Sequence, residues 1–174
     1  HRSVQGILDY CLRLSALVGA LEKGRALVDA MQQSIDTALS AAAQLPMRPR
    51  VYVEEWDEPR ITGIQWVCEL VRIAGGEDIF PERAACSLAK DRILANDDEI
   101  IAHEPQLIIG SWCGKHFRPE RVIERDGYAA IPAVQSGDMV EIKSALLLQP
   151  GPAAILDALP QIQNAVTRVA MRAA

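Results

Sequence analysis

At 174 residues, 49% of them hydrophobic, the chain is long enough to bury a substantial core as one domain. Its net charge of −5 excludes the basic face that nucleic-acid binding needs, and no block of Lys and Arg is dense enough to track phosphates or an anionic membrane. No apolar run in the sequence approaches the ~20 residues of a membrane span. The chain begins with His1 rather than Met, so its natural N-terminus is expected upstream, with any signal peptide or lipid anchor outside the sequence.

Residues 1–45 carry helical spacing throughout. Ser3 is placed to cap a first helix, and Val4, Ile7, Leu8, Cys11, Leu14 and Val18 recur at threes and fours as one buried stripe. Gly19 ends or bends that helix. A second stripe through Leu21, Val28, Met31, Ile35, Leu39, Ala42 and Leu45 predicts a helix about 35 Å long, with a narrow, alanine-rich seam. It reads either as an ordinary core helix or as a rigid spine between two bodies.

After "LPMRPR" the pattern changes to strands alternating with helices. "RVYVEE" (50–55) predicts a strand, and residues 62–76 a helix closed by Gly75 and Gly76. Residues 97–105 predict a short helix with acids in its first turn, where the helix dipole favours them. A strand over 106–111 and a helix over 118–127, with Pro119 near its start, come next. "YAAIPAV" and "MVEIKS" read as two strands separated by "QSGD", and 152–172 as a final helix that Pro160 should kink. The alternation predicts an α/β fold: the long helix, then a three-layer, Rossmann-like body with a mostly parallel sheet. In such sheets ligands bind beyond the carboxyl ends of the strands.

That rule gathers Glu55, Trp56 and Asp57 after the first strand, and Trp112, Cys113, Lys115 and His116 after the second. It adds residues 146–152, including Gln149, after the last. Two exposed tryptophans on one edge would suit a large flat ligand, although either could instead pack at a loop base. Cys113 with Lys115 and His116 has the residue types of an activated thiol, but nothing nearby reads as an oxyanion hole or an orienting carboxylate. Cys113-x-x-His116 has no second ligand pair, so no metal site is assigned. No glycine-rich phosphate motif occurs. Cys11 and Cys68 sit among apolar residues and read as buried thiols, whereas Cys86 and Cys113 are either free thiols or a disulfide. His1 and His103 read as surface residues.

Several strings are recognisable in combination: "RPRVYVEEWDEP", "WVCELVRIAGGEDIFPE", "EPQLIIGSWCGKHFRPE", "RDGYAAIPAV", "MVEIKS" and "LLLQPGPAAILDAL". Together they resemble the C-terminal half of the helical-backbone class of ABC-importer substrate-binding proteins, in its cobalamin- and iron-chelate-binding branch. The resemblance covers essentially the whole chain. It implies that residues 1–18 end a first lobe that is otherwise absent, 19–46 form the interlobe backbone helix, and 47–174 form the C-terminal α/β ligand-binding lobe. It further implies a periplasmic, non-enzymatic protein that delivers a corrinoid or other metal chelate to a membrane permease.

Carried over by position, the resemblance assigns ligand contacts to Trp56, Trp112, Cys113, Lys115, His116 and Gln149. It assigns permease docking to Asp98, flanked by Asp97 and Glu99, where family members often carry glutamate. No cofactor is implied beyond the ligand, cobalamin or a ferric chelate. A lobe without its mate would expose surfaces that the whole protein buries, which favours a homodimer of the fragment. Two readings from other classes stay open: a small α/β thiol enzyme using Cys113, and a non-transport sensor sharing the fold. Near the edge, Lys115, His116, Arg60 and Arg118 stand against Glu54, Glu55 and Asp57. That balance, with two tryptophans, favours a flat corrinoid over a compact anionic chelate, because apolar burial at about 25 cal/mol per Å² outweighs a screened ion pair of about 0–1 kcal/mol.

Overall fold

The chain is described over residues 2–172 in a computed structural model; His1, expected at the surface, and residues 173–174 lie outside that range. Helix α1 (Val4–Leu17) starts where the Ser3 hydroxyl accepts the Gly6 N–H at 3.0 Å. Only its first two turns are buried, at Val4, Ile7 and Leu8. Cys11 is half-buried rather than buried, and Leu14 and Val18 are exposed, so the predicted stripe runs out midway along the helix. Gly19, at φ +71°, turns the chain into α2 (Leu21–Ala42). This helix is unbroken over 22 residues, about 33 Å at 1.5 Å per residue. It buries Gly24, Met31, Ile35, Ala38 and Ala42, a seam of small residues interrupted by two large ones.

The body that follows is built on one sheet. Strand β1 (Arg50–Asp57) pairs in parallel with β3 (Glu77–Asp78) through its first residues and antiparallel with β2 (Arg60–Thr62) through its last. On its other edge it pairs in parallel with β4 (Leu107–Gly110), which pairs in parallel with β5 (Met139–Glu141). Side chains alternate across both central strands. Val51, Val53, Leu107 and Ile109 face a core completed by α1, α2, α3 (Gln65–Ile73) and α9 (Leu159–Arg172). Tyr52 and Ile108 face a second core with Phe80, Ile100, Trp112, Tyr128 and Ile131. Burial on both faces makes the three layers that the strand–helix alternation predicts.

Three predicted elements take a different form. "YAAIPAV" is not a strand: residues Tyr128–Ala130 make a 3-10 turn and α7 (Pro132–Ser136) follows. Pro132 has no N–H to give a ladder but fits the first turn of a helix, which Gly137 closes at φ +72°. Helix α3 starts three residues later than predicted, because Thr62 belongs to the β1–β2 hairpin. The last helix bends its hydrogen bonding rather than splitting. Residues Ala154–Ala158 form a π-turn, with the Leu159 N–H donating to the Ala154 carbonyl, immediately before Pro160. A wider turn relieves the clash of the proline ring with the carbonyl four residues back. Short helices α4 (Pro81–Ala84), α5 (Asp98–Ala102), α6 (Pro119–Ile123) and α8 (Ser144–Leu147) complete the layers.

Candidate functional site

The carboxyl ends of β1, β4 and β5 form the edge that the fold reserves for ligands. Strand β1 pairs Glu54 with Gly110, its last partner on β4, and runs on through Glu55, Trp56 and Asp57, with an irregular register against β2 between Glu54 and Trp56. Each acid on this tail is bound from within. Glu54 is fully buried and accepts two hydrogen bonds from Arg125 at 2.7 and 2.9 Å, one from the Tyr52 hydroxyl at 3.0 Å, and one from the Trp112 indole at 3.0 Å. Burial opposes the Arg125 charge, yet Glu54 outweighs it and holds the guanidinium pKa above its ordinary value. The Tyr128 phenol, reached by Arg125 at 3.4 Å, is pushed up to about 12, chiefly by burial. Glu55 pairs with the buried Arg92 at 2.8 Å and accepts the Ile64 N–H at 2.6 Å. Burial still raises its pKa despite those partners.

Asp57, also buried, is held by the Lys115 ammonium and by Arg121 at 3.0 Å. Burial disfavours its charge, but these two cations prevail and keep the carboxyl below its usual range. The same ammonium lies 4.0 Å from the centre of the Trp56 ring and 5.1 Å from that of Trp112. Trp56 is half-buried, with its indole N–H donating to the Glu58 carbonyl at 2.6 Å. One face of the edge is therefore an indole already covered by a lysine.

Trp112 departs from the expectation of an exposed stacking face: it is 1% exposed. Its ring packs edge-on against Phe117 at 5.1 Å, and its N–H is committed to Glu54. Phe117 can lie so close because Gly110 has no Cβ; one added there would sit 1.9 Å from the phenyl ring. The predicted pair of tryptophans thus reduces to Trp56. His116 is 82% exposed, with Nδ1 3.3 Å from the Glu141 carboxylate. Together with Gly114, Lys115, Lys143, Ser144 and Ala145 these two residues line an open cleft of ≈ 230 Å³ between the β4 and β5 ends.

Cys113 is exposed, and its backbone N–H donates to the Glu55 carbonyl at 3.3 Å. Its thiol makes no hydrogen bond to His116, and all four cysteines are free, so the Cys86–Cys113 disulfide does not form. Gln149 is exposed and comes after α8 rather than directly after a strand. The adjoining residues Pro150, Gly151 and Pro152 line an apolar groove of ≈ 350 Å³ with α1 and α2, which shares no lining residue with the Lys115 cleft. No cluster of three or more His, Cys, Asp or Glu suited to a metal ion occurs among the described residues.

The three acids at α5 differ from one another. Asp97 bonds Arg60 at 2.9 Å and accepts the Tyr128 hydroxyl at 3.2 Å, and Glu99 pairs with Arg83 at 2.7 Å. Asp98 is exposed, and its carboxylate has no ion pair among the described residues. Sequence reasoning missed Arg125, and it counted Glu54 among the charges near the edge without its buried role. A signal existed, since alternation from Tyr52 places Glu54 on an inward face, where a carboxylate requires a cation.

No curated protein matches the chain. Among solved structures it is similar to a possible iron-binding (periplasmic solute-binding) protein of Staphylococcus epidermidis: 17% identity over 95% of this chain and 63% of that one, TM-score 0.79. The periplasmic heme-binding protein RhuT of a Roseiflexus species matches at 16% identity over 95% and 65%, TM-score 0.76. The periplasmic vitamin B12 binding protein BtuF of Vibrio cholerae matches at 20% identity over 97% and 63%, TM-score 0.73. The chain spans less than two thirds of the length of each. A protein-family comparison matches residues 2–146 to the periplasmic binding proteins. With that match over most of its length, and with a fold similar to those solved structures, the chain belongs to the periplasmic binding protein family.

Proposed function

We propose that the chain is the interlobe helix and C-terminal lobe of an ABC-importer substrate-binding protein, located in the periplasm and carrying a metal chelate to a membrane permease without altering it. In this reading residues 2–18 end a first lobe, α2 is the spine between lobes, and residues 47–172 supply one wall of the ligand cleft. The observation that carries it is the edge itself. Lys115 covers Trp56 at the end of β1 and, with His116, lines an open cleft between the β4 and β5 ends, on a scaffold whose similar structures include proteins named for iron, heme and vitamin B12. Such an edge offers an indole face and cations, groups that hold a ligand by contact and charge.

Asp98 is the docking acid in this reading, because Asp97 and Glu99 are already tied to arginines of their own chain. The direct test is titration of the full-length protein with cobalamin, a ferric siderophore and heme, followed by calorimetry, with Trp56→Ala as control. Micromolar or tighter binding of one chelate that weakens in the variant supports the proposal; no binding of any of the three refutes it. For docking, Asp98→Lys is expected to leave chelate affinity unchanged and to abolish ligand-stimulated transport in reconstituted vesicles.

A further inference from the structure

The three acids of the β1 tail do not contribute free negative charge to the ligand edge. Glu54 is matched by Arg125, Glu55 by Arg92, and Asp57 by both Lys115 and Arg121. The cleft between the β4 and β5 ends carries Lys115, Lys143 and His116 against one acid, Glu141. That acid already accepts the Phe117 N–H at 3.2 Å and faces His116 at 3.3 Å. Lys143 is exposed, and its ammonium has neither a hydrogen bond nor an ion pair among the described residues. The surplus charge here is therefore positive, because the Lys143 ammonium has no partner among those residues and Asp57 holds two cations, Lys115 and Arg121, against its single charge; Lys115 also covers the indole face beside the cleft.

We propose that this cleft receives an anionic, oxygen-bearing arm of the chelate, a carboxylate being the simplest, and that Lys115 and Lys143 select it. The inference rests on the reading of the chain as a chelate-binding lobe and names the ligand class for it. Lys115 discriminates in two ways. A ligand approaching Trp56 meets the ammonium first, so an uncharged ring must displace it from both Asp57 and the indole. A ligand with an anionic arm instead gains a partner on Lys115 and another on Lys143, and the shift of one lysine opens the indole for contact.

The first test needs no ligand. Tryptophan quenching by iodide and by caesium is compared at equal ionic strength, with the Trp56 signal taken as the difference between the protein and its Trp56→Phe variant. Trp66 and Trp112 are buried and contribute little to either. With each quenching constant divided by that for free N-acetyltryptophanamide, iodide is expected to quench Trp56 several-fold better than caesium, and Lys115→Gln combined with Lys143→Gln to bring the two together. Equal quenching, or quenching favoured by caesium, in the unsubstituted protein overturns the inference and leaves chelate binding as such intact. The second test titrates the full-length protein with heme, which carries free carboxylates, and with cobalamin. Lys143→Gln, whose side chain holds no other described residue, is expected to weaken heme several-fold and to leave cobalamin unchanged; an equal effect on both overturns the inference. If neither chelate binds while iodide still outperforms caesium, the chelate reading has failed, and the ligand class named here falls with it.

Discussion

Arg125 reaches Glu54 through two nitrogens inside a core where the carboxylate has no solvent contact, so the Glu54 charge has no alternative partner in water. Removing one member leaves the other buried and unpaired, which costs about 3–5 kcal/mol, whereas replacing both with apolar groups is often near neutral. Arg125→Met is therefore expected to lower urea-unfolding stability by about 3–5 kcal/mol, and Glu54→Leu added to it to recover most of that. A double variant no more stable than the single one would mean that the pair does not act as a unit. Asp57 carries a pH signature. A carboxyl with its native pKa below the unfolded value binds fewer protons folded than unfolded between the two, so stability rises with pH across that interval. The contribution is complete above about pH 4, the ordinary aspartate value, and is lost as pH falls through the lower native one. The melting-temperature gap between the protein and Asp57→Asn should accordingly be present at neutral pH and close in acid; a gap constant with pH would exclude a titrating ion pair.

Among the elements, the α1–α2 pair depends on one absent side chain. A Cβ on Gly24 would lie 2.3 Å from the Ser15 Cβ and 1.8 Å from its hydroxyl, so the two helices touch where glycine allows it. In an isolated helix Gly→Ala gains about 1 kcal/mol. Here Gly24→Ala is expected to destabilise by about 1–3 kcal/mol through overpacking, and Ser15→Gly to reverse the loss in the double variant. If Gly24→Ala alone raises the denaturation midpoint, the helices do not meet as described. Helix α2 was legible because its apolar spacing extends over many turns. The short helices after residue 118 were only partly legible, since four or five residues carry too little periodicity to separate a helix from a strand.

The whole molecule shows an asymmetry between its two cores and its first helix. The sheet is covered on both faces, yet the end of α1 leaves Leu14, Val18 and the 84%-exposed Leu17 beside the apolar groove. Contiguous apolar surface of this kind favours association. Sedimentation of the 174-residue chain should show concentration-dependent pairing that Leu17→Glu suppresses, with stability changed by no more than about 0.5 kcal/mol because this side chain packs on so little. Unchanged sedimentation would remove α1 from any contact between copies.

The alternation of strands with helices, the three-layer body and the placement of Trp56 after β1 and of Lys115 and His116 after β4 could be read from local signals, because period-2 and period-3.6 spacing depend on near neighbours. The register irregularity at Glu54, the burial of Trp112 and the neutralisation of every acid on the β1 tail could not. Trp112 bonds a residue 58 positions away and Arg125 one 71 positions away, and no spacing rule extends so far. Sequence alone therefore determined which residues make up the edge at the carboxyl ends of the strands. Its charge and its aromatic content were decided by tertiary packing, which drew one tryptophan and three carboxylates inward because each found its partner there.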